Sequence, residues 1–546
     1  MNIKIIFAVF FLIIGMHANG AIKIVVNNKA NAILVVADQT PFMKRYSENL
    51  NNYIFKISAT KLNVNRTVSN NSNNIIIRLD PLDKYLQSCP KDAFRFVSNG
   101  RNFYIVGKTA IGLEFGIYQF LEEFLNVSWL MPTEIGEYIE KKNSIEIPEI
   151  DKIYSPDFKA RLLSPINPLA NDILGIWGRR NKLFGEIQFH HNMDKISGAK
   201  FKGTNQPDFG SQEFYNSSYK NIDGILNQSE VTSFSLGIND SKEFNFKNNQ
   251  INSLGLRSYS DTYYSWVSNV VNALNKKHKN ITYGLLAYYN VFDPPTNISS
   301  LPSNVIPYIT VERSRWGDKN FLNNYKRAID LWKTKAKKLG IYDYNYGYCY
   351  LLPRIYTTSL EESIQYHYLN NFEYYYSEAY PNFIEGPKYW ILAKMLWSTK
   401  LDAKSLEEEW ARKCVGKNSS VYLLQFYKVL EDYWSIVFKE YNYQSTFLPF
   451  NDLTYLNDIN ESTLKKLDFL LQKTLNSTSN DSEKARATVL IKMWDFQRVS
   501  IKLAKDGNIK TFMGMKGNAT FKKNINDLND PINSITARYF RAGLGM

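Results

Sequence analysis

The chain has 546 residues, with 66 Lys and Arg against 52 Asp and Glu, a formal net charge of +14. That length predicts more than one domain and supplies ample apolar material for buried cores. Cys89, Cys349 and Cys414 are the three cysteines; they lie too far apart for a disulfide framework and offer no metal-ligand spacing. The basic runs Lys276-Lys277-His278-Lys279 and Lys333 to Lys338 fall on or after predicted helices. They read as solvated helix faces, which argues against nucleic acid as a partner, while the charge suits an anionic ligand such as an acidic glycan.

Residues 2–20 read as a secretory signal: Lys4 carries the positive charge, Ile5 to Ile14 the apolar core, and Ala18-Asn19-Gly20 the small-residue cleavage site. Removing it lowers the net charge to about +13. The apolar run is too short to span a bilayer comfortably, and no later segment is long and uncharged enough. The expectation is a secreted or periplasmic protein with no membrane attachment after cleavage. Asn-X-Ser/Thr sequons recur (Asn65, Asn126, Asn280, Asn297 and Asn518 among them), as chance gives in an Asn-rich chain.

Residues 21–150 pattern as an α/β accessory domain. Ile22 to Val26, Ala32 to Val36 and Asn74 to Leu79 are strand-like, and Pro41 opens a helix. Phe94 to Val97 and Phe103 to Gly107 flank an Asn-Gly hairpin signal. A helix follows over Ala110 to Leu125, where Gly112 and Gly116 permit close packing on a sheet. The charged connector Glu140 to Pro156 marks the boundary.

Residues 151–400 alternate strands with helical patterns, which predicts a (β/α)8 TIM-type barrel. The strand candidates are Phe158 to Leu163, Phe184 to Phe189, Val231 to Gly237, Ile281 to Tyr289, Val305 to Val311, Ile341 to Tyr346 and Phe372 to Ser377. Asp261 is the expected cap of one helix, and Gly340 the stop of another over Phe321 to Leu339. Residues 401–508 pattern as a helical region, and 509–546 as an irregular tail without periodicity.

In such barrels chemistry sits where strands end. Val231 to Asp240, VTSFSLGIND, is a β-branched and aromatic run ending on an amide and a carboxylate. Asp240, Glu312 and Glu378 all fall at predicted strand ends, and Asp343 lies within the strand IYDYNYGY. Glycoside hydrolysis requires two carboxyl groups, one to protonate the leaving oxygen and one to activate water or attack carbon. Tyr288, Tyr289, Trp316, Tyr346, Tyr348, Tyr374 to Tyr376 and Tyr380 surround the candidates; flat rings stack on sugar faces, and apolar walls disfavour a charged acid. Against this, any strand end enters a polar loop, and each acid could instead form a salt bridge or helix cap, Glu312 beside Arg313 above all. His190 and His191 would point to opposite faces of an extended segment and cannot easily share an ion. Arg179 and Arg180 could clamp a carboxylate or sulfate. No Gly-rich phosphate loop, GxSxG elbow or CxxC pair occurs, so no cofactor and no metal are expected.

Several short stretches together resemble one family. They are Thr109 to Leu130, Trp177 to Lys182 (WGRRNK), Asn239-Asp240, Glu312-Arg313, Leu352-Pro353-Arg354, and Glu378 within YYYSEAY. They are similar to secreted proteins of the DUF4838 domain-of-unknown-function family, within the glycoside-hydrolase-like (β/α)8 barrels. The N-terminal module resembles the accessory domain of α-glucuronidases and β-hexosaminidases. This resemblance implies a helical segment after the barrel and substrate at its C-terminal rim, where it would put His191. One departure is Ser241-Lys242-Glu243, where the family pattern has a glycine-rich turn; Asn239-Asp240-Ser241 is also a sequon, and a glycan there would obstruct the rim.

The expected function is an exported glycoside hydrolase acting on a complex, acidic polysaccharide. Asp240 is the expected general acid and Glu378 the base or nucleophile, with Glu312 nearby. Asn239, His191, Arg313, Tyr346 and Tyr380 are the expected substrate-binding residues. The alternative is a non-catalytic glycan-binding or cell-surface protein on the same barrel.

Overall fold

The computed structural model describes residues 21–197, 205–244, 248–441, 448–507 and 509–546; the expected signal at 2–20 lies outside them. The chain divides into two compact units. Residues through Val127, with Ile139–Tyr154, form the first; Ser128–Tyr138 and the residues from Ser155 onward form the second.

The first unit is a mixed six-stranded sheet in the order Asp151–Tyr154, Phe94–Asn99, Asn102–Gly107, Asn73–Leu79, Ala32–Val35, Asn63–Asn65. The Asn-Gly signal makes its hairpin, with Gly100 at φ +60°. Pro41 begins the helix Pro41–Ser58. Thr109 caps Ala110–Glu123, its hydroxyl accepting from the Gly112 amide at 3.1 Å. That helix lies so close to its neighbours that a Cβ on Gly112 would fall 2.6 Å from the Ala93 carbonyl oxygen.

The second unit is built on six parallel barrel strands: β1 (Ala160–Ser164), β2 (Ser233–Ser235), β3 (Thr282–Ala287), β4 (Val305–Val311), β5 (Leu339–Tyr344) and β6 (Phe372–Glu378). They pair in the order β1-β6-β5-β4-β3-β2. β3, β4, β5 and β6 are buried almost throughout, as strands covered on both faces must be. The gap between β1 and β2 is spanned by residues 184–191, of which Phe184 to Phe189 are the part expected as a strand. Among the described residues they form isolated bridges instead, Phe184 to Arg161 of β1 and His191 to Gly237 beyond β2. Their backbone runs close to β3: a Cβ on Gly284 would sit 2.3 Å from the Gln188 carbonyl oxygen. Among the described residues the barrel sheet has six regular strands. Its interior is filled with rings: Phe189 stacks on Tyr308 at 3.8 Å and meets Tyr376 and Tyr342 edge-on at 5.0 and 6.0 Å.

Two local expectations fail for physical reasons. Asp261 does not cap its helix, Ser260–Leu274, which has no side-chain cap; its carboxylate accepts from the Thr296 amide at 2.5 Å and hydroxyl at 2.7 Å. Gly340 is not a helix stop. The helix Lys319–Lys335, capped by Asp318, ends earlier, and Gly340 belongs to β5, where the Tyr308 ring lies 2.8 Å from the position of a Cβ.

After β6 the chain is helical: Gly386–Trp397, Ala403–Val415, Lys417–Glu440, Glu461–Asn476 and Asp481–Lys505. These helices pack directly on the barrel's loops. The Trp434 indole donates to the Pro353 carbonyl at 2.6 Å, and the Tyr427 hydroxyl to that of Ile384 at 3.0 Å. Residues 509–546, expected to be irregular, carry Ala519–Asp527 and Asn533–Leu544. The last helix buries Ile535, Tyr539, Phe540 and Leu544, an apolar stripe short enough to be masked by the surrounding Asn and Lys. Among the described residues no helix is long and apolar enough to cross a membrane.

One helix carries a pH-sensitive group. Burial pushes the Glu407 carboxyl up from 4.5 to about 7, and the hydrogen bond from the Thr357 hydroxyl opposes this only in part. Between those values the folded chain holds a proton that the unfolded chain releases, so stability must fall as pH rises through the window and level off above it. Equilibrium denaturation from pH 4.5 to 8 should show this decline, and Glu407→Gln should flatten it.

Candidate active site at the barrel rim

The rim is built outward from β5. Its alternation places Tyr342, Tyr344 and, just beyond the strand, Tyr346 on one side, and Asp343 and Asn345 on the other. Glu378 closes β6 and lies in register with Tyr344. Its carboxylate accepts from the Tyr342 hydroxyl at 2.5 Å and also from the Tyr346 hydroxyl. Tyr380 lies parallel to Tyr346, ring centres 5.5 Å apart. Across the rim, the Tyr288 hydroxyl donates to Asp240 at 3.1 Å, and Tyr289 stacks on Tyr288 at 3.8 Å. Burial, then the fields of Glu378, Tyr289, Asp240 and Glu312, hold the Tyr344 phenol well above the usual tyrosine range. Asp240 is exposed and Glu378 half-buried.

The other expected residues divide. The His191 Nδ1 donates to the Ile238 carbonyl at 2.5 Å, and its ring lies 5.9 Å from that of Tyr288, so it stands at the rim. Asn239 instead fastens a loop: its side-chain amide donates to the Asn205 carbonyl at 2.9 Å and its backbone N–H to Gln206 Oε1 at 3.0 Å. Beside Tyr376 and His190 a cavity of about 250 Å³ opens, lined also by Ser164, Pro165 and Asn167.

Glu312 and Arg313, expected at the rim, lie instead within the wall. Both are fully buried and held in ion pairs, Glu312 with Arg354 at 2.5 Å and Arg313 with Asp343 at 2.5 Å. Glu312 also accepts from the Leu448 amide. The Arg354 guanidinium is boxed by aromatic rings, with Tyr350 at 4.1 Å and Tyr356 at 5.6 Å. Its backbone amide donates to Glu385 at 2.5 Å, which also pairs with Lys388; burial pulls the Lys388 amine down to about 8. Neither Glu312 nor Arg313 can reach a substrate in this arrangement, because the charge of each is already spent within the wall. Asp343 is withdrawn for the same reason. Arg179 and Arg180 are also engaged, Arg179 with the Pro168 and Ala170 carbonyls at 2.6 and 2.7 Å and Arg180 with Glu137 at 3.1 Å. Trp316 packs away from the rim against Tyr325 and His367.

Four rim groups escaped the sequence reading. Tyr342 and Tyr344 were legible in principle, since the period of two in IYDYNYGY puts them on the face of Tyr346. Tyr539 and Arg538 come from the last helix, where Tyr539 meets Tyr380 edge-on at 5.6 Å and Arg538 lies 5.4 Å from the Tyr539 ring centre. Among the described residues no group of three or more His, Cys, Asp or Glu could hold a metal ion.

A parallel barrel sheet carrying acids and tyrosines at its C-terminal rim is a glycosidase-like fold. In architecture the chain is similar to a family GH115 4-O-methyl-α-glucuronidase with specificity for decorated arabinogalactans, over 96% of this chain and 78% of that one, at 10% identity and a TM-score of 0.59. A family 89 glycoside hydrolase from Clostridium perfringens, in complex with 2-acetamido-1,2-dideoxynojirmycin, aligns over 90% and 66% at 10% identity and a TM-score of 0.49. Residues 197–428 match the model of the family described as Domain of unknown function (DUF4838), the family whose motifs the sequence resembles. No curated protein matches the chain.

The buried pair gives a direct test. Arg354→Ala removes the guanidinium that pairs with buried Glu312 and should cost about 3–5 kcal/mol. Lys428→Ala, which breaks the exposed Lys428–Asp432 pair, should change stability by no more than about 1 kcal/mol. Denaturant titration followed by tryptophan fluorescence compares the two.

Proposed function

We propose that the protein is an exported glycoside hydrolase acting on a complex, acidic polysaccharide, with Asp240 as general acid and Glu378 as base or nucleophile. The observation that carries this reading is that tyrosine hydroxyls hold both acids on the C-terminal side of the barrel sheet, Tyr342 and Tyr346 on Glu378 and Tyr288 on Asp240. Glu378 ends β6 and Asp240 lies in the loop that follows β2, so both stand on the C-terminal side of the sheet, where a divided acid–base mechanism would need its two carboxyls. Tyr342 and Tyr346 fix the Glu378 carboxylate from two directions, which holds an attacking or proton-accepting oxygen in place. His191, Tyr346 and Tyr380 supply the surface against which a sugar ring lies. The acidic character of the substrate is supported by two exposed cations on the aromatic walls, Lys242 at 4.3 Å from the Tyr289 ring centre and Arg538 beside Tyr539. Export rests on the signal-like residues 2–20.

One observation favours a second reading, a glycan-binding barrel without turnover: Glu312, a third acid at the same level, is consumed by Arg354. A single experiment separates the two. The purified chain is incubated with defined uronate-bearing oligosaccharides, and released reducing ends are measured. Asp240→Asn and Glu378→Gln should each lower the rate by about 10²-fold or more, with unchanged circular dichroism. If both variants retain wild-type turnover the acid pair is wrong, and if the wild type binds an oligosaccharide without cleaving it the binding reading replaces the catalytic one.

A further inference from the structure

A second cleft, of about 480 Å³, lies between two helices of the barrel's outer layer, Gln212–Gln228 and Ser260–Leu274. Its wall is one stripe of the second helix and the turn after it: Thr262, Ser265, Trp266, Asn269, Asn272 and Lys276. Steps of three and four residues keep these groups on one face, and at 1.5 Å per residue the stripe runs for ~21 Å. The opposite face of the helix is spent on the core through Tyr263, Val267, Val270 and Leu274. Trp266 is buried beneath the cleft against Phe209, Phe214 and Tyr263, its indole N–H already satisfied by the Ser218 hydroxyl at 3.0 Å. Tyr215 enters half-buried from the facing helix.

The lining chemistry is specific. Asn269 and Asn272 are exposed, and their side-chain amides hydrogen-bond to none of the described residues. Each offers donors and an acceptor together, the complement of a sugar's neighbouring hydroxyls. The half-buried Tyr215 ring offers a flat apolar surface to the other side of such a ring. Lys276 puts an exposed cation at one end. At the other end Asp261 is already engaged by Thr296. A peptide partner would need a strand edge or a groove for apolar anchors, whereas this wall is amides and hydroxyls along its length.

We propose that this cleft is a second glycan-binding site, apart from the rim, which holds an acidic oligosaccharide with Asn269 and Asn272 on its hydroxyls and Lys276 on a carboxylate. A second site of this kind keeps a polymeric chain attached to the protein whether or not the rim is occupied, and so raises the local concentration of sugar units there.

The test is calorimetric titration of the full chain with two probes, tetragalacturonate and a glucuronate-bearing xylo-oligosaccharide, with neutral cellotetraose for comparison. The background is Asp240→Asn with Glu378→Gln and Tyr346→Ala, which removes both the proposed rim turnover and part of the rim's sugar surface, so failure of the cleft and failure of the rim reading give different results. At least one acidic probe should bind this background. Asn269→Ala with Asn272→Ala should weaken that binding by about tenfold or more, with the melting temperature unchanged. Lys276→Ala should abolish the preference over cellotetraose. Binding that survives loss of both amides, equal binding of acidic and neutral probes, or no binding of either acidic probe would overturn the proposal.

Discussion

Arg313 and Arg354 carry their charges into a layer beneath the rim from which water is excluded, and each meets one carboxylate there, Asp343 and Glu312, at 2.5 Å. Removing four charged groups from water is expensive, and their mutual attraction offsets that cost only while the geometry holds. The pairs tie together parts of the chain that share no local structure: the end of β4, the end of β5, the 350–356 loop and the Leu448 backbone. A shift of any one strands a buried charge. The rim above is therefore held in a narrow set of positions by electrostatics, whereas apolar packing alone would tolerate sliding.

Asn345 transmits that constraint to the candidate site. Its side-chain amide donates to Asp343 at 3.0 Å, to the Tyr375 hydroxyl at 2.7 Å and to the Ser377 hydroxyl at 2.8 Å. Its side-chain oxygen accepts from the Tyr356 hydroxyl at 2.5 Å, and its backbone N–H donates to the Glu378 carbonyl at 2.8 Å. The residues on either side of it, Tyr344 and Tyr346, face the other way, toward Asp240 and Glu378. One residue held by hydrogen bonds on one side of the strand end thus helps to orient the two tyrosines on the other. The alternation of a strand end lets a structural network and a candidate site sit back to back without sharing a group.

Much of this was legible in the sequence because it is local. Periodicity gave most strands and most helices, and Glu378 does close its strand, whereas Asp240 lies in the loop beyond β2. What was not legible depends on partners distant in the chain. Nothing near Glu312 announces Arg354, and its tempting neighbour Arg313 belongs to Asp343 instead. The segment 184–191 has a strand's composition, yet its bridges reach Arg161 on one side and Gly237 on the other, which no local pattern specifies. The last helix was hidden for a different reason. Its apolar stripe is short and set among Asn, Lys and Arg, so composition suggested a tail, whereas burial of Tyr539 and Phe540 against Tyr348 and Tyr380 makes it a wall.

The backbone itself bends unusually at the two places where rings overhang the opening. Tyr289 and Tyr380 follow β3 and β6, and both hold a left-handed conformation, φ +45° and +40°, which a bulky side chain rarely adopts. Such a position costs on the order of 1–3 kcal/mol and persists only where its surroundings dictate it. At Tyr380 they do: its N–H and that of Ala379 both donate to the Ser164 carbonyl, at 2.8 and 3.0 Å, while Gly347 and Tyr348 donate to the carbonyls of Ala379 and Tyr380. At Tyr289 the carbonyl is held by the Asn252 amide at 2.6 Å. An ordinary turn at either point would send the ring elsewhere. With the turn as it is, Tyr380 lies parallel to Tyr346, whose hydroxyl reaches Glu378, and Tyr289 lies on Tyr288, whose hydroxyl reaches Asp240. The strain is located where it places one ring beside each of the two acids.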